Sequence, residues 1–322
     1  MTYARIAGIG SFLPEKVITN KDLEKTIDTS DEWIRERTGI KRRHIASDGE
    51  TTSSMGLEAA RRAMEMAGVG PDDIDLIVVG TATPDKVFPA TACIIQRQLG
   101  VAGSAAFDVQ AVCSGFVYAL DIANRYICTG GAKTAIVIGS ETLSRIINWE
   151  DRGTAVLFGD GAGAVVLQAS EEPGILSAHI HADGKYEELL HVEHGVSVGY
   201  DITRAGGAFI TMEGNAVFRR AVATFDGIAR ETVADLDGHL DDIDWFIPHQ
   251  ANMRIIKAAA KKLDMPMERV IATVDEHANT SAASIPLAMD LAVRDGRIQR
   301  GQTLLLAAFG AGFTWGSAMI RY

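Results

Sequence analysis

The feature that most constrains the fold of this chain is a short sequence that occurs twice at a fixed distance. The tetrapeptide DDID stands at Asp72–Asp75 and again at Asp241–Asp244, 169 residues later. The same offset places AKTAIVIG at 132–139 on GQTLLLAA at 301–308. Two matches at one offset predict that the two halves of the chain share one fold. The alternative is that a strand-rich chain repeats short patterns without any duplication.

Apolar runs and amphipathic stretches alternate along the chain. Ile74–Gly80, Thr134–Gly139 and Thr303–Ala308 are almost entirely apolar, which is typical of strands that are buried on both faces of a sheet. Leu57–Gly68 and Gly115–Gly130 are amphipathic and helix-like. This alternation predicts an α/β fold with parallel strands and right-handed helical crossovers.

The repeat also places two candidate residues at equivalent positions. Each half is expected to contain a strand and the helix after it: strand 104–111 with helix 113–130, and strand 269–277 with helix 279–296. Cys113 and Asn279 then begin equivalent helices, which pseudo-symmetry would bring together. Ligands of open α/β sheets bind beyond the carboxyl ends of the strands, where both residues stand.

Composition excludes several classes of protein. The 322 residues include 31 Lys and Arg against 42 Asp and Glu, a net charge of −11, and 47% are hydrophobic. This charge disfavours a general nucleic-acid binder, and no apolar run approaches the roughly 20 residues that cross a bilayer. The start, MTYARIAGIGSFLPEKV, lacks the pattern of a signal peptide. Three cysteines without a CxxC spacing fit neither a disulfide framework nor a zinc site. We therefore expect a cytoplasmic protein without nucleic-acid or membrane contacts.

Two side chains are candidates for chemistry by their position alone. Cys113 stands at a strand-to-helix turn, where the helix dipole is expected to lower its pKa and favour the nucleophilic thiolate. A buried, inert thiol is the alternative. His249 follows a strand-like run in IPHQAN, and Pro248 disfavours helix at the residue before it. Its imidazole can donate or accept hydrogen bonds at neutral pH. The alternative is a histidine that only caps an element or belongs to a loop.

Two glycine-rich stretches and a group of histidines need separate interpretation. Residues 159–163 (GDGAG) lie between the strand-like runs 154–158 and 164–167, so a turn between strands is expected rather than a nucleotide-binding loop. Residues 310–312 (GAG) predict a second strand–turn–strand, which can direct a backbone N–H at a neighbouring site. Four histidines lie close in sequence, but no metal site is expected from them: His179, His181, His191 and His194.

A basic segment follows His249. Residues 251–263 contain four cations and no acid, and Arg254, Lys257 and Lys261 have the spacing of one helix face. In a chain of charge −11, this stripe is either a solvated surface or a docking site for an acidic partner or a phosphate-bearing ligand.

Together these residues resemble the thiolase superfamily, and within it the β-ketoacyl-[acyl carrier protein] synthase III family. The similarity covers the whole chain through six segments: DTSDEWIRERTGI (28–40), AVCSGF (111–116), RGTAVLFGDGAGA (152–164), IPHQAN (247–252), NTSAAS (279–284) and AFGAGFTWGSAMIRY (308–322). The combination of Cys113, His249 and Asn279 is the distinguishing feature. Two positions depart from the family pattern: Ala311 interrupts a usual triple glycine, and Ala278 replaces a usual glycine before the asparagine.

The resemblance implies a thiolase-like fold. Two pseudo-symmetric βαβ halves would form a layered α-β-α-β-α core, with residues 1–170 supplying the nucleophile and residues 171–322 supplying the histidine and asparagine. A homodimer is implied as well.

The resemblance also implies an activity, the initiating condensation of fatty acid biosynthesis. Cys113 would take an acyl group from acyl-CoA and condense it with malonyl-acyl carrier protein after loss of CO2. His249 and Asn279 would stabilise the enolate, and the backbone N–H groups of Cys113 and Ala311 would form the oxyanion hole. No metal or redox cofactor is implied.

Binding residues follow from the same resemblance. Trp33, Arg37 and Arg152 would hold the adenine and phosphate end of CoA, with Asn252 lining the tunnel. Phe88 would help to close the acyl pocket, with a role across a dimer interface left open. The carrier protein would dock on the stripe of Arg254, Lys257 and Lys261.

Two other functions remain open at this point. A paralogue that condenses other acyl donors in quinolone, polyketide or long-chain ketone biosynthesis would share Cys113, His249 and Asn279. A non-catalytic scaffold that binds acyl carriers is the other, and the intact set of three residues argues against it.

Overall fold

Strands and helices alternate along the chain in a computed structural model that describes residues 2–201, 208–234 and 240–322. The strands are β1 Tyr3–Phe12, β2 Val17–Thr19, β3 Arg42–His44, β4 Leu76–Gly80, β5 Ala105–Val109, β6 Thr134–Glu141, β7 Gly161–Ser170, β8 Ile175–Ala182, β9 Leu190–Val192, β10 Ile210–Met212, β11 Trp245–Pro248, β12 Thr303–Gly310 and β13 Thr314–Arg321. The helices are α1 Asn20–Leu23, α2 Asp31–Thr38, α3 Thr52–Ala67, α4 Thr91–Leu99, α5 Gly115–Cys128, α6 Arg152–Ala155, α7 Gly214–Ala234, α8 Met253–Lys262, α9 Val274–His277 and α10 Ser284–Arg294. Within these ranges, no helix combines the length and the apolar character that a membrane crossing requires.

Two sheets with matching strand order form the framework. The first has the order β5-β4-β6-β7-β1 and the second has the order β11-β12-β13-β8. The pair β4 and β6 is parallel, and so is the equivalent pair β11 and β12. The pairs β6–β7 and β7–β1 are antiparallel, like the equivalent pairs β12–β13 and β13–β8. The sheets are therefore mixed rather than wholly parallel, and β5 has no counterpart strand in the second sheet.

The repeated tetrapeptide makes the same contacts in both halves. The last aspartate of the first copy, Asp75, accepts the backbone N–H of Thr134 at 3.0 Å and donates its own N–H to the Thr134 carbonyl. Asp244 makes the equivalent pair of contacts with Thr303, at 2.7 and 2.9 Å. The offset of 169 residues seen in the sequence thus corresponds to one structural unit that occurs twice.

The helices pack in layers on both sides of the sheets. Central helices α5 and α10 share an apolar cluster with residues from both sheets, including Phe116, Leu120 and Met289. Helices α3 and α4 cover the outer face of the first sheet, and α7 and α8 cover the outer face of the second. This α-β-α-β-α order is the thiolase-like architecture expected from the sequence, and it brings the starts of the two central helices together.

Two local predictions are wrong. Instead of a strand over 269–277, there is one isolated bridge from Val270 to Phe246, followed by α9. The buried side chain of Gln250 binds the Ile271 carbonyl and the amides of Thr273 and Val274, so the backbone groups that a strand would pair are already bonded.

The run 154–158 is also not a strand. Its beginning belongs to helix α6, because the Asp151 side chain accepts the Gly153 amide at 2.8 Å and the Thr154 hydroxyl at 2.6 Å. These are the contacts of an N-cap, which starts a helix despite the β-branched content. Residues 159–160 then lead directly into β7, which contains residues 161–163, so the turn predicted at 159–163 is wrong together with the strand before it. The predicted turn between β12 and β13 is confirmed.

Candidate active site

Cys113 lies in a single 3-10 turn, Val112–Ser114, that joins β5 to α5. Val112 has φ +45°, a conformation that β-branched residues rarely adopt. The Ser114 amide and hydroxyl both donate to the Ala111 carbonyl, at 3.1 and 2.8 Å, and hold the turn closed. The turn fixes the thiol of Cys113 in a buried position at the carboxyl end of the first sheet.

The acidity of Cys113 differs from the expectation. Burial is the main cause that raises the pKa of the thiol to about 12; Ser281 opposes this rise, and the nearby Glu141 contributes to it. The predicted low pKa is wrong because loss of hydration, which disfavours the charged thiolate, exceeds the effect of the helix start. The resting side chain of Cys113 is therefore a thiol, which needs a proton acceptor if it is to act as a nucleophile.

His249 follows the last residue of β11 and is fixed from two sides. Its amide donates to the Ala307 carbonyl of β12 at 2.8 Å, and its Nδ1 lies 2.8 Å from the Ser284 hydroxyl at the start of α10. Phe309 packs edge-on against the ring, with 5.5 Å between centroids. Burial lowers the pKa of His249 to about 3, so the imidazole carries no charge near neutral pH. Because Nδ1 faces Ser284, the other ring nitrogen, Nε2, is directed away from that contact.

Asn279 is held by backbone and side chain alike. Its amide donates to the Leu157 carbonyl at 2.9 Å, and its carbonyl accepts the Gly159 amide at 3.0 Å. The side-chain oxygen Oδ1 accepts the Ser281 amide at 2.9 Å. This bond fixes the orientation of the side-chain amide. Its Nδ2 group, the donor of the amide, is then available to the cavity.

Of the two positions that depart from the family pattern, Ala278 has a strained backbone and Ala311 follows a glycine that the available space requires. Ala278 has φ +58° and ψ −160°, a region that L-residues with a side chain rarely enter, and it is fully buried. Ala311 stands beside Gly310, whose Cα faces the backbone of Cys113 so closely that an added Cβ would lie 2.8 Å from the Cys113 nitrogen. The glycine at 310 is thus required by space, whereas the alanine at 278 carries strain.

Two cavities meet at Cys113. The first, about 210 Å³, is bordered by Cys113, His249 and Asn279 at one end and by Trp33 and Arg37 at the other. The second, about 910 Å³, is bordered by Cys113 and Ala311 and is mainly apolar, with Leu143, Ile146, Phe158, Val192 and Ile210 among its lining residues. Cys113 therefore borders a narrow passage on one side and an apolar chamber on the other.

An aromatic and cationic cluster forms the mouth of the narrow passage. The guanidinium carbons of Arg37 and Arg152 lie 4.6 and 4.9 Å from the centroid of the Trp33 ring. Asn252 lines the passage and also caps α8, where its Oδ1 accepts the Ile255 amide at 2.9 Å. A planar aromatic group and several negative charges are the ligand features that such a mouth fits.

The basic stripe lies beside this mouth. Arg254, Lys257 and Lys261 are exposed on α8, while Ile255 and Ile256 on the same helix are buried. The predicted common face is confirmed, and Arg254 itself borders the passage.

Phe88 is not brought into the site of its own chain. Its side chain is 83% exposed and it is absent from the lining of the apolar chamber, although the preceding Val87 is present.

Comparison with known proteins decides the family. Models of 3-oxoacyl-[acyl-carrier-protein] synthase III match residues 107–184, and those of its C-terminal part match residues 234–322. A relative from Thioalkalivibrio sulfidiphilus, named β-ketoacyl-[acyl-carrier-protein] synthase III, is 63% identical over 322 residues and covers 100% of both chains. This chain belongs to the β-ketoacyl-[acyl-carrier-protein] synthase III family. The crystal structure of the Aquifex aeolicus 3-oxoacyl-[acyl-carrier-protein] synthase III is similar with a TM-score of 0.94 at 46% identity, covering 99% of this chain and 100% of that one.

A second structural relative of this synthase III chain belongs to another pathway. The priming β-ketosynthase of the R1128 polyketide pathway has a TM-score of 0.95 at 38% identity, covering 99% of this chain and 96% of that one. The fold alone therefore does not separate a condensing enzyme of fatty acid biosynthesis from one of polyketide biosynthesis, but the Thioalkalivibrio and Aquifex synthase III relatives, at 63% and 46%, are more identical to this chain.

Three polar residues next to the synthase III site escaped sequence reasoning. Ser284 supports His249, and Ser281 bonds both Asn279 and the buried carboxylate of Glu141. The sequence held one signal for them: Glu141 ends the otherwise apolar strand TAIVIGSE. A charged residue at the end of a fully buried strand is rarely there for packing alone.

The four histidines separate into two groups. His179 and His181 extend from β8 toward Glu231 on α7, and the His181 Nε2 lies 2.9 Å from the Glu231 carboxylate. The ligand atoms of these three residues lie within 4.8 Å of one another. His191 and His194 instead border the apolar chamber.

Proposed function

We propose that this chain catalyses the initiating condensation of type II fatty acid biosynthesis. The acyl group of acetyl-CoA or another short-chain acyl-CoA is transferred to Cys113. Decarboxylative condensation with malonyl-acyl carrier protein then gives 3-oxoacyl-acyl carrier protein, CO2 and CoA. The observation that supports this most is the position of Cys113 between two cavities, with His249 and Asn279 in the narrower one.

The first half-reaction is acyl transfer. The sulfur of Cys113 attacks the thioester carbonyl, and the carbonyl oxygen becomes negative in the tetrahedral intermediate. The backbone N–H groups of Cys113 and Ala311 are the donors of the oxyanion hole, because the end of β12 packs against the turn that holds Cys113. Loss of one such donor typically costs about 2.7–4 kcal/mol. The acyl chain then occupies the apolar chamber.

The second half-reaction is decarboxylation and condensation. When malonyl-acyl carrier protein loses CO2, negative charge develops on its thioester oxygen. Asn279 donates to this oxygen through Nδ2, the donor of its side-chain amide, whose orientation is fixed because Oδ1 accepts the Ser281 amide. His249 donates through Nε2–H, which requires that its Nδ1 accept the Ser284 hydroxyl proton. Both donors are neutral, so the site favours the enolate without a titratable cation.

The passage fits the arm that CoA and the carrier protein have in common. A phosphopantetheine chain would extend from the mouth past Asn252 to Cys113. At the mouth, the indole of Trp33 would stack on adenine, and the guanidinium groups of Arg37 and Arg152 would bind the phosphates. Neutral contacts inside and cations outside match a ligand with a neutral arm and a charged end.

The stripe of Arg254, Lys257 and Lys261 is the docking surface for the carrier protein in this proposal. Acyl carrier proteins are acidic, and complementary rim charges mainly increase the association rate. The stripe begins at the mouth with Arg254, so a carrier bound there can insert its arm directly.

The assembly is a homodimer in this proposal, with each half of the chain, 1–170 and 171–322, supplying part of the site. Exposed Phe88 would then close the acyl pocket of the second copy, since it does not contact that of its own chain. A cytoplasmic location is part of the proposal, because all three cysteines are free thiols, as is usual in a reducing compartment.

A panel of acyl-CoA donors tests the function. Each donor is incubated with the enzyme and malonyl-acyl carrier protein, and the product is identified by its mass. Formation of the 3-oxoacyl carrier protein from acetyl-CoA or another short-chain donor supports the proposal. Turnover only with a different acceptor, such as a second acyl-CoA, contradicts it and indicates a paralogue of another pathway.

A further inference from the structure

A fully buried carboxylate lies beside the nucleophile and has no role in the chemistry described above. Glu141 is the last residue of β6 and has no solvent exposure. It accepts hydrogen bonds only from neutral groups: the hydroxyls of Thr81, Thr83 and Ser281 at 3.2, 2.7 and 3.0 Å, and the Ala82 amide at 3.1 Å. Among the described residues, no cation forms a salt bridge with it. Burying an acid without a cation is costly, so this position calls for a functional reason.

Ser281 connects this acid to the nucleophile. Its hydroxyl donates to the Glu141 carboxylate at 3.0 Å, and it also interacts with the Cys113 thiol, which borders the same apolar chamber. Its amide donates to the Asn279 side-chain oxygen at 2.9 Å, which fixes the backbone that carries the hydroxyl. Ser281 therefore interacts with both the thiol and the buried acid.

The chemistry of a hydroxyl gives this arrangement a direction. A serine hydroxyl has one proton to donate and two lone pairs that accept. In the resting enzyme it donates to ionised Glu141 and accepts the S–H of Cys113. If the proton of the Ser281 hydroxyl moves to Glu141, the serine oxygen takes the proton of the Cys113 thiol. Ser281 is then a hydroxyl again, and Glu141 carries the additional proton.

We propose that Glu141 accepts the proton of the Cys113 thiol through the Ser281 hydroxyl during acyl transfer. The S–H bond breaks as the sulfur forms its bond to the acyl carbon, and the bond from that carbon to the CoA sulfur breaks. The departing CoA thiolate takes a proton from water. When condensation later expels Cys113 as a thiolate, Glu141 returns its proton through Ser281. The complete cycle consumes one proton, as the overall reaction requires. The proposal rests on the proposed acyl transfer to Cys113.

The electrostatics agree with this role. Burial raises the pKa of Glu141 to about 7, so an increasing fraction is ionised and able to accept as the pH rises through 7. Burial lowers the pKa of His249 to about 3, so His249 does not change charge in this range. The high pKa of the thiol means that its proton moves while the sulfur attacks, not before.

Two other acids of the described residues, Asp160 and Asp85, have partners of their own. Glu141 itself acts on the Cys113 thiol at the turn before α5. Asp160, next to the start of β7, binds Ser144 and Ala46 and interacts with Arg145. Asp85, after β4, binds the amide and hydroxyl of Ser53.

The test is the pH dependence of the first half-reaction alone. Single-turnover acylation of Cys113 by acetyl-CoA is followed by intact mass from pH 5.5 to 8.5, without malonyl-acyl carrier protein. Wild type is expected to accelerate with pH about a midpoint near 7. Glu141→Gln is expected to acylate at least tenfold more slowly at pH 7.5, in line with the roughly 10²–10⁴-fold contribution of a general base, and to lose the midpoint. Ser281→Ala, which keeps the carboxylate, should do the same.

Asp160→Asn is the matched control, because Asp160 is another fully buried acid at a strand end and has no contact with Cys113. It should keep the midpoint near 7. Decarboxylation of malonyl-acyl carrier protein, measured separately, should fall much less than acylation does in Glu141→Gln, since decarboxylation depends on His249 and Asn279.

The outcomes separate this proposal from the proposed function. If wild-type acylation shows the pH midpoint and both Glu141→Gln and Ser281→Ala retain it, the proton route is overturned and the proposed function stands. Equal loss of acylation and decarboxylation in both variants also overturns it, because that is the result of a purely structural role. If wild type forms no acyl adduct, the proposed function itself fails.

Discussion

Gly310 lies so close to Cys113 that a β-carbon at position 310 would be 2.8 Å from the Cys113 backbone nitrogen. The same atom would lie 3.0 Å from the Ala111 carbonyl and 3.2 Å from the Ser114 nitrogen. All three are backbone atoms, so no side chain can rotate to make room. The end of β12 in the second half of the chain thus fixes the turn of the nucleophile in the first half.

Gly310→Ala is expected to impair catalysis without unfolding the protein. Relieving the contact must displace the backbone of either Cys113 or Ala311, the two donors of the proposed oxyanion hole. We expect kcat for condensation to fall about 100-fold, the usual effect of losing one such donor. Gly227→Ala, at an exposed helical position with open space around it, is the control and should retain wild-type kcat. A kcat within threefold of wild type in Gly310→Ala would refute this role.

His249→Ala and Asn279→Ala should separate the two half-reactions. Each variant removes one donor to the enolate oxygen, so decarboxylation of malonyl-acyl carrier protein is expected to fall at least 100-fold. Acylation by acetyl-CoA should fall less than tenfold, because neither residue is assigned to it. Ser284→Ala, which removes the Nδ1 partner of His249, should give an intermediate loss of decarboxylation. The measurements are CO2 release and acyl-enzyme mass, and unchanged decarboxylation in both alanine variants is incompatible with the assignment.

Ala278→Gly is expected to stabilise the protein. At φ +58° the alanine side chain costs about 1–3 kcal/mol, while glycine costs about 0.5–1 kcal/mol in chain entropy. The net gain in the free energy of unfolding is about 1 kcal/mol, measured by urea denaturation. Ala223→Gly, at an exposed position of α7, is the control and should lose about as much. A loss of stability in Ala278→Gly would show that position 278 is not strained.

Arg254→Glu tests the docking stripe. We expect the KM for malonyl-acyl carrier protein to rise severalfold at low salt, and the difference to shrink at physiological ionic strength, where the Debye length is about 8 Å. The KM for acetyl-CoA should change less, because Arg37 and Arg152 hold that ligand in the proposal. Lys133→Glu, an exposed charge reversal after α5, serves as the control. If Arg254→Glu leaves the carrier KM unchanged at low salt, the stripe is only a solvated surface.

The framework was predictable because its strands are long, apolar and repeated. β12 begins at Thr303 and β6 begins at Thr134, the positions that the offset of 169 pairs. The failures occur where side chains replace backbone pairing. After Val270, the side chain of Gln250 binds the backbone groups that a strand would pair. Asp151 caps a helix at the start of a run whose composition is typical of a strand. Such contacts link residues far apart in sequence or depend on a single cap, so periodicity does not reveal them.

The meeting of Cys113, His249 and Asn279 at one cavity was predictable, but the electrostatics there were not. Cys113, His249 and Asn279 stand at element ends that the repeat aligns. The raised pKa of Cys113 depends on how completely the surrounding residues exclude water, which no local pattern encodes. Glu141 and Ser281 meet across 140 positions of sequence, so their contact depends on the tertiary fold.

The most direct test of the central claim is the mass of the enzyme after incubation with acetyl-CoA alone. The account predicts one acetyl group per chain, located on the peptide that contains Cys113. Cys113→Ala should form no adduct, whereas Cys93→Ala should form it as wild type does. An adduct of equal yield on Cys113→Ala, or an acetyl group on a different peptide of the wild-type enzyme, would contradict the account.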